Sequence, residues 1–283
     1  MKEFLNINLL SVHGRPFLAD VFLPEHKGPH PVVIFAHGFK GFKDWGPFNI
    51  IARNFVSQGF CFVKFNFAWN GTTPDATMDF TDLEAFANNN FTKELDDMKV
   101  VIDMIHKQPE WNIDLKKIFL IGHSRGGGIA LLKAAEDDRV KGVITWAAVA
   151  GFARHITVSE IKKWKEAGVF FVENSRTGQQ MPLYPQLYED FYRNRHRLDI
   201  VKAAGKVAGR MLVVHGDADE TVPLSHAHEI ISGSPGSKIL ILPDADHSFG
   251  ATHPFTASEL PPDFKMVVDA TISYINGVIQ NES

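Results

Sequence analysis

The segment Gly122-His123-Ser124-Arg125-Gly126 sets a serine between two glycines, each two residues away. The apolar run Ile118–Ile121 precedes it, and an Ala/Leu-rich helical pattern, Gly126–Glu136, follows. A chain that turns from strand to helix within two residues holds the middle residue at a strained backbone angle. Side chains two positions to either side would collide there, and glycines relieve that crowding. The hydroxyl then stands at the start of a helix, where unpaired amides and the macrodipole favour developing negative charge. Gly-x-Ser-x-Gly in this strand–turn–helix setting points to Ser124 as a nucleophile. A nucleotide-binding loop is disfavoured, because Gly-x-Gly-x-x-Gly and a P-loop lysine are both missing.

A serine hydroxyl attacks a carbonyl when a neutral imidazole takes its proton. His247, in Ala245-Asp246-His247-Ser248-Phe249, follows the run Lys238–Leu242 and precedes a long terminal helix, so it is the expected base. The acid that fixes the imidazole tautomer is expected in His215-Gly216-Asp217-Ala218-Asp219-Glu220-Thr221-Val222-Pro223, after the run Met211–Val214. Asp219 is the expected acid. Asp217 is the alternative, though it suits hydrogen bonding to amides of its own turn. Asp244 and Asp246 read as turn or surface carboxylates. The order Ser124, Asp219, His247 puts all three at C-terminal ends of strands, where parallel sheets place their chemistry. An oxyanion forming on the attacked carbonyl needs amide donors. The expected ones are the backbone N–H groups of Arg125 and of Phe39, the latter in His37-Gly38-Phe39-Lys40-Gly41 after the run Val32–Ala36. His226 and His228, two residues apart, do not share a helical face, so neither a metal site nor a cofactor is expected.

These loops require a scaffold. Residues 4–10 and 17–23 read as a hairpin around His13-Gly14-Arg15-Pro16. Val32–Ala36, Phe60–Phe65, Ile118–Ile121, Val143–Trp146, Met211–Val214 and Ile239–Leu242 are short apolar runs suited to parallel strands buried on both faces. Helix-period segments separate them: one after Pro47 with Phe48, Ile51 and Phe55 on one face, one over residues 92–107, Gly126–Glu136, and a last one carrying Phe264, Val267, Thr271, Tyr274 and Val278. Alternating strands and helices imply an α/β class with a mainly parallel sheet. Residues 67–91 read as a long polar loop. Residues 150–207 read as an insertion after the sixth strand: a helix (Ser159–Ala167), a hairpin turning at Asn174–Gly178, and a Tyr/Arg-rich helix from Pro185 to Asp199. This divides the chain into a core, residues 1–149 and 208–283, and a lid, residues 150–207. Phe42 and Trp69 from the loops, with Tyr184 and Tyr188 from the lid, are the expected pocket walls.

With 45% hydrophobic and 22% charged residues, the chain can build an ordinary core. A net charge of −4 without a strong basic run argues against nucleic acid as partner. Arg193, Arg195 and Arg197 read as a solvated lid face, with an acidic substrate such as an acyl-CoA as the alternative. The single cysteine, Cys61, precludes an intramolecular disulfide and reads as a buried thiol. The N-terminus lacks the apolar core of a signal peptide, and no stretch of about 18 apolar residues occurs, so a cytoplasmic, membrane-free protein is expected.

The four motifs at residues 37–41, 122–126, 215–223 and 245–249 together resemble the α/β-hydrolase superfamily. Within it the chain resembles bacterial cinnamoyl/feruloyl esterases, and also dienelactone-hydrolase-like and prolyl-oligopeptidase-like proteins. The resemblance implies an α/β-hydrolase fold with an eight-stranded, mostly parallel sheet flanked by helices. It also implies an oxyanion hole at Phe39 and Arg125. Dienelactone hydrolases usually carry a cysteine nucleophile where this chain has Ser124, and no propeller sequence accompanies the motifs. The leading expectation is hydrolysis of a small-molecule carboxylic ester. A thioesterase or small peptidase on the same residues is the alternative, followed by a non-catalytic binding protein. A homodimer is left open.

Overall fold

The computed structural model describes residues 1–26, 28–152 and 157–281. The chain opens with the antiparallel pair β1 (Lys2–Leu10) and β2 (Pro16–Leu23), followed by β3 (His30–Ala36), α1 (Phe48–Ser57) and β4 (Cys61–Phe65). Next come α2 (Leu83–Ala87), α3 (Phe91–Ile105), β5 (Ile113–His123), α4 (Arg125–Glu136) and β6 (Val140–Trp146). Then α5 (Val158–Ala167), β7 (Phe170–Asn174), β8 (Gln179–Leu183), α6 (Gln186–Arg193) and α7 (Ile200–Lys206) lead to β9 (Met211–Gly216). The chain closes with α8 (Ser225–Ser232), β10 (Lys238–Leu242) and α9 (Pro262–Gln280). Eight strands form one sheet in the order β1-β2-β4-β3-β5-β6-β9-β10. It is parallel from β4 to β10, and β2 joins it antiparallel to β4. This is the α/β-hydrolase fold.

The continuous apolar runs follow from burial on both faces. On β3, Val32, Ile34 and Ala36 enter the core under α3, α4, α7 and α8, while Val33 and Phe35 enter the core under α1 and α9. β5 splits its side chains in the same way, with Ile118 and Leu120 on the first face and Phe119 and Ile121 on the second. Cys61 lies wholly buried on β4, and burial pushes its thiol up from the ordinary range.

Two expectations about local structure need correction. Residues 67–91 are not one polar loop: they contain α2, and Phe80, Ala85, Phe86 and Ala87 are buried. Several of the polar side chains are buried and bonded within the protein. Thr72 Oγ1 donates to Asn70 Oδ1 at 2.7 Å, Asn66 Nδ2 donates to Thr72 Oγ1 at 3.0 Å, and Asp82 Oδ1 caps α2 by accepting from Ala85 N–H at 2.8 Å. The helix expected over Pro185–Asp199 is shorter, and a second one, α7, begins after it. Asp199 starts α7 by accepting from the Lys202 N–H at 3.0 Å, the ordinary habit of Asp at an N-cap. Ile200, Ala203 and Ala204 of α7 are buried in the core that α4 also enters. Residues 153–156, within the expected lid, lie outside the described residues.

The rest of that stretch packs onto the body, with Trp164, Met181, Leu183 and Leu187 in the core that β3 and α4 also enter. α5 starts on a capping box of Thr157 and Glu160, ends at Gly168 with φ 74°, and is tied to β8 by Trp164 Nε1 donating to Leu183 O at 2.8 Å. β7 and β8 pair antiparallel as a separate two-stranded sheet. Arg197 anchors the stretch to the body through two hydrogen bonds to Glu136, at 2.8 and 2.9 Å.

One buried carboxyl is expected to make stability depend on pH. Asp97 on α3 is fully buried, and its Oδ2 accepts from the Ala68 N–H at 2.8 Å. Burial pushes its carboxyl up to about 7, against the hydrogen bonds from Ser11 and Ala68. The unfolded chain releases this proton near pH 4, so between about pH 4 and 7 the folded state holds more protons than the unfolded one. Stability from this group is therefore present at low pH and lost as pH rises through 7. Asp97→Asn keeps an acceptor for Ala68 but does not titrate. Its melting temperature minus that of wild type is expected to rise between pH 4 and 7 and level off above; a difference independent of pH contradicts this.

Candidate active site

Ser124 stands between β5 and α4 at φ 57° and ψ −122°. The glycines around it are required by distance. A Cβ on Gly122 would lie 2.1 Å from Gly126 O, and one on Gly126 would lie 2.4 Å from His37 O. Strand β5, helix α4 and the end of β3 thus approach closer than any side chain allows.

The three sequence-predicted polar residues come together. Ser124 Oγ lies 3.0 Å from His247 Nε2, and His247 Nδ1 lies 2.7 Å from Asp219 Oδ2. The other oxygen of Asp219 accepts the backbone N–H groups of Thr221 at 2.9 Å and Val222 at 2.8 Å. Burial by itself raises this carboxyl, but hydrogen bonds from His215, His247 and the Val222 amide outweigh it and hold it well below the usual carboxylate range. Asp219 is therefore ionised, and Nδ1 of His247 carries the proton between them. Nε2 is left to accept from the Ser124 hydroxyl. Asp217 turns elsewhere, accepting the Asp244 N–H at 2.7 Å.

Two further histidines, without a role in the sequence reading, support this arrangement. His123 Nε2–H donates to the backbone carbonyl of His247 at 2.8 Å, tying the residue before Ser124 to the loop of the imidazole. Burial holds the His123 imidazole down to about 3, with the nearby His247 adding to the effect, so it stays a neutral strut. His215 lies buried on β9, with Nε2 2.8 Å from Val222 O and 3.3 Å from Asp219 Oδ2. A histidine at the end of a motif strand was the available signal for both.

The loop after β3 carries Phe39. The N–H groups of Phe39 and Arg125 have no acceptor among the described residues. The loop is braced from below. His37, held down to about 4 by burial, donates from Nδ1 to Gly38 O at 2.9 Å and accepts the Phe67 N–H at Nε2. Beyond Gly41, Lys43 Nζ contacts Asp20 and Asp44, each at 2.7 Å, and Lys64 Nζ contacts the same two carboxylates. Two cations shared by two anions leave no buried charge unpaired, the condition under which such groups are tolerated inside.

These atoms open onto a cavity of about 910 Å³ lined by residues of both the body and the β7–β8 hairpin. A second, mostly apolar cavity of about 560 Å³ lies under α5 and α6 and shares Phe91, Arg125 and Phe152 with the first. Arg125 stacks 3.9 Å above the Phe39 ring, and its guanidinium lies 3.5 Å from buried Glu94. Of the expected pocket walls, Tyr188 lines the second cavity, whereas Phe42, Trp69 and Tyr184 line neither. Phe42 is fully buried behind the wall against Phe80 and His253. Trp69 packs under the Lys93 ammonium at 3.5 Å, and Tyr184 donates its hydroxyl to Glu84 at 2.7 Å. Arg193, Arg195 and Arg197 do not line the first cavity. Among the described residues that line it, the cations are Lys40, Arg125 and Arg176.

No helix among the described residues is long and apolar enough to cross a membrane. Residues 52–258 match the model of the prolyl oligopeptidase family. A Yersinia pestis protein named for carboxymethylenebutenolidase is 23% identical over 242 residues, 81% of this chain and 72% of that protein. Among solved structures, Est1E from Butyrivibrio proteoclasticus with ferulic acid bound superposes with a TM-score of 0.71 at 18% identity, over 97% of this chain and 99% of that one. The esterase domain of a Rhodothermus marinus protein gives a TM-score of 0.65 at 19% identity, over 97% and 98%. A family match across this span, on a sheet of this topology, makes the chain a member of the prolyl oligopeptidase family, hydrolases of the α/β-hydrolase fold.

Proposed function

We propose that the protein hydrolyses carboxylic esters through an acyl-enzyme on Ser124. The observation that carries this is the continuous chain Ser124 Oγ, His247 Nε2, His247 Nδ1, Asp219 Oδ2, with both contacts at hydrogen-bond length and a cavity above Ser124. His247 Nε2 takes the hydroxyl proton as Oγ bonds to the ester carbon. The carbonyl oxygen becomes an oxyanion, which the free N–H groups of Phe39 and Arg125 receive. The tetrahedral species collapses with loss of the alcohol, which takes the proton back from His247. Water then repeats the sequence on the acyl-enzyme: His247 removes its proton, the acid departs, and Ser124 Oγ is reprotonated. Asp219 keeps the imidazole in one tautomer and offsets its positive charge in between.

The lid proposal is narrowed to α5, β7, β8 and α6, which cover the second cavity and one side of the first. Trp164, Phe170, Leu187 and Tyr188 on this unit, facing Phe91 and Phe152, offer an apolar slot for an aryl or alkyl group of the ester. An esterase domain and a protein that binds ferulic acid among the similar structures support the ester reading. A fluorophosphonate probe is expected to label Ser124, located by peptide mass. A panel of aryl esters, acyl-CoAs and peptides then reads the substrate class, with esters expected to be turned over fastest. Preferential cleavage of peptides or thioesters overturns the ester reading, and failure to label overturns the nucleophile.

A further inference from the structure

Among its described lining residues the first cavity has three cationic side chains, Lys40, Arg125 and Arg176, and no Asp or Glu. This occurs in a chain whose net charge is −4. Arg125 already faces Glu94. Lys40 and Arg176 have weaker company. Among the described residues Lys40 Nζ donates to the backbone carbonyl of Glu173, at 2.8 Å, and the Glu173 carboxylate is the anion that acts on it. Arg176 reaches Met78 O at 3.4 Å and Asp79 at 3.8 Å, and Asp79 is 70% exposed, so water and salt screen that pair. Between Glu173 and Arg176 sits Asn174, which also lines the cavity. It is 5% exposed, and its Nδ2 is buried with no acceptor among the described residues. A buried amide donor left unmade is costly, and such groups in native structures commonly await a ligand or water.

We infer that the tip of the β7–β8 hairpin, with Lys40 reaching across to it, binds a carboxylate carried by the substrate at a distance from its scissile ester. This rests on the ester reading above and adds the substrate's second functional group. Arg176 offers a planar fork, Asn174 a fixed amide donor and Lys40 a point charge, a set that matches the two oxygens of a carboxylate. Phosphate is disfavoured by the backbone. Sites for phosphate commonly use a nest of free amides. Here the turn amides are spent inward: the N–H of Arg176 on Asn174 Oδ1, those of Thr177 and Gly178 on Asn174 O. The sequence alone does not show this, because Lys40 and Arg176 belong to separate loops and meet only across the cavity.

The test compares two matched pairs of esters. One bears the free acid on the acyl side: mono-4-nitrophenyl adipate against its methyl-capped form. The other bears it on the alcohol side: 4-acetoxybenzoic acid against its methyl ester. Wild type is expected to favour the free acid of at least one pair by about 10-fold or more in kcat/KM, the scale of one charge-assisted contact. The preference should shrink with added salt. Arg176→Gln should collapse the ratio through KM, and Arg176→Lys should retain part of it. No preference in either pair, or a ratio unmoved in Arg176→Gln, overturns the inference. Competition by inorganic phosphate at lower concentration than adipate overturns the choice of carboxylate. If Ser124 is labelled and 4-nitrophenyl acetate is cleaved without any preference, only this inference fails. If there is neither labelling nor turnover, the ester reading fails, and calorimetry of adipate with wild type and Arg176→Gln decides the anion site by itself: tight binding lost in the variant upholds it, and equal binding sinks it.

Discussion

Ser124→Ala is expected to lower kcat on an activated ester by about 10⁴–10⁶-fold, the scale seen when a nucleophile is removed from a hydrogen-bonded serine–histidine pair. The fold should survive. Among the described residues Oγ makes one hydrogen bond, to His247, and the turn is held by other contacts: the Ser124 N–H donates to Trp146 O at 2.8 Å, and Gly122 and Gly126 allow the close backbone approach. Alanine tolerates the φ of 57° about as serine does, because both carry one Cβ. Residual rate should come from binding and from the amides of Phe39 and Arg125. Burst kinetics with 4-nitrophenyl acetate, alongside a thermal melt, separate lost chemistry from lost folding. A folded variant keeping a tenth of wild-type turnover would sink Ser124 as nucleophile.

Asp219→Asn is expected to cost about 10³–10⁴-fold in kcat, for a reason visible in the hydrogen bonds. Oδ1 accepts two backbone amides, from Thr221 and Val222, so the asparagine oxygen should stay there. Its NH2 would then face His247 Nδ1. Two donors cannot share that contact, so the imidazole must move its proton to Nε2, the nitrogen that has to receive the Ser124 proton. The geometry would be nearly unchanged and the base would be blocked. Asp217→Ala provides the contrast: it removes an exposed acceptor of the Asp244 N–H, which is expected to cost roughly 0.5–1.5 kcal/mol of stability with turnover changed by only a few-fold. Steady-state kinetics and denaturation on both variants check the order. If Asp217→Ala lost more kcat than Asp219→Asn, the acid would have to be reassigned.

The two predictions differ in what made them possible. Ser124 is legible in sequence because its chemistry forces local composition: glycines at fixed offsets, a buried strand before and a helix after. His247 is legible because its loop follows an apolar strand and precedes an amphipathic helix. The strands themselves were readable for the same reason, since burial on both faces leaves no room for polar alternation. α2 was hidden because its short apolar segment sits among Asn, Asp and Thr residues that bond to one another inside the protein. α7 was missed because it is only seven residues long, carries Gly205 near its end and is separated from the polar helix before it only by the cap at Asp199.

What local pattern determined, then, was the order of strands and helices and the sharp turn that exposes Ser124. The choice between Asp217 and Asp219 for His247 was left to tertiary structure. Both lie on one loop: the amides of Thr221 and Val222 hold one oxygen of Asp219 while the other meets the imidazole, and the Asp244 amide holds Asp217 elsewhere. The same holds for the cavity wall. Phe42 and Trp69 are aromatic residues on the right loops, yet one is buried behind the wall and the other lies beneath a lysine. Lys40 and Arg176 carry no signal in their neighbourhoods and line one cavity only because the β7–β8 hairpin meets the loop after β3. Periodicity reports whether a side chain is buried, because burial recurs with the repeat of the element. It carries no information on which distant side chain is met there, because that depends on how separate loops close over one sheet edge.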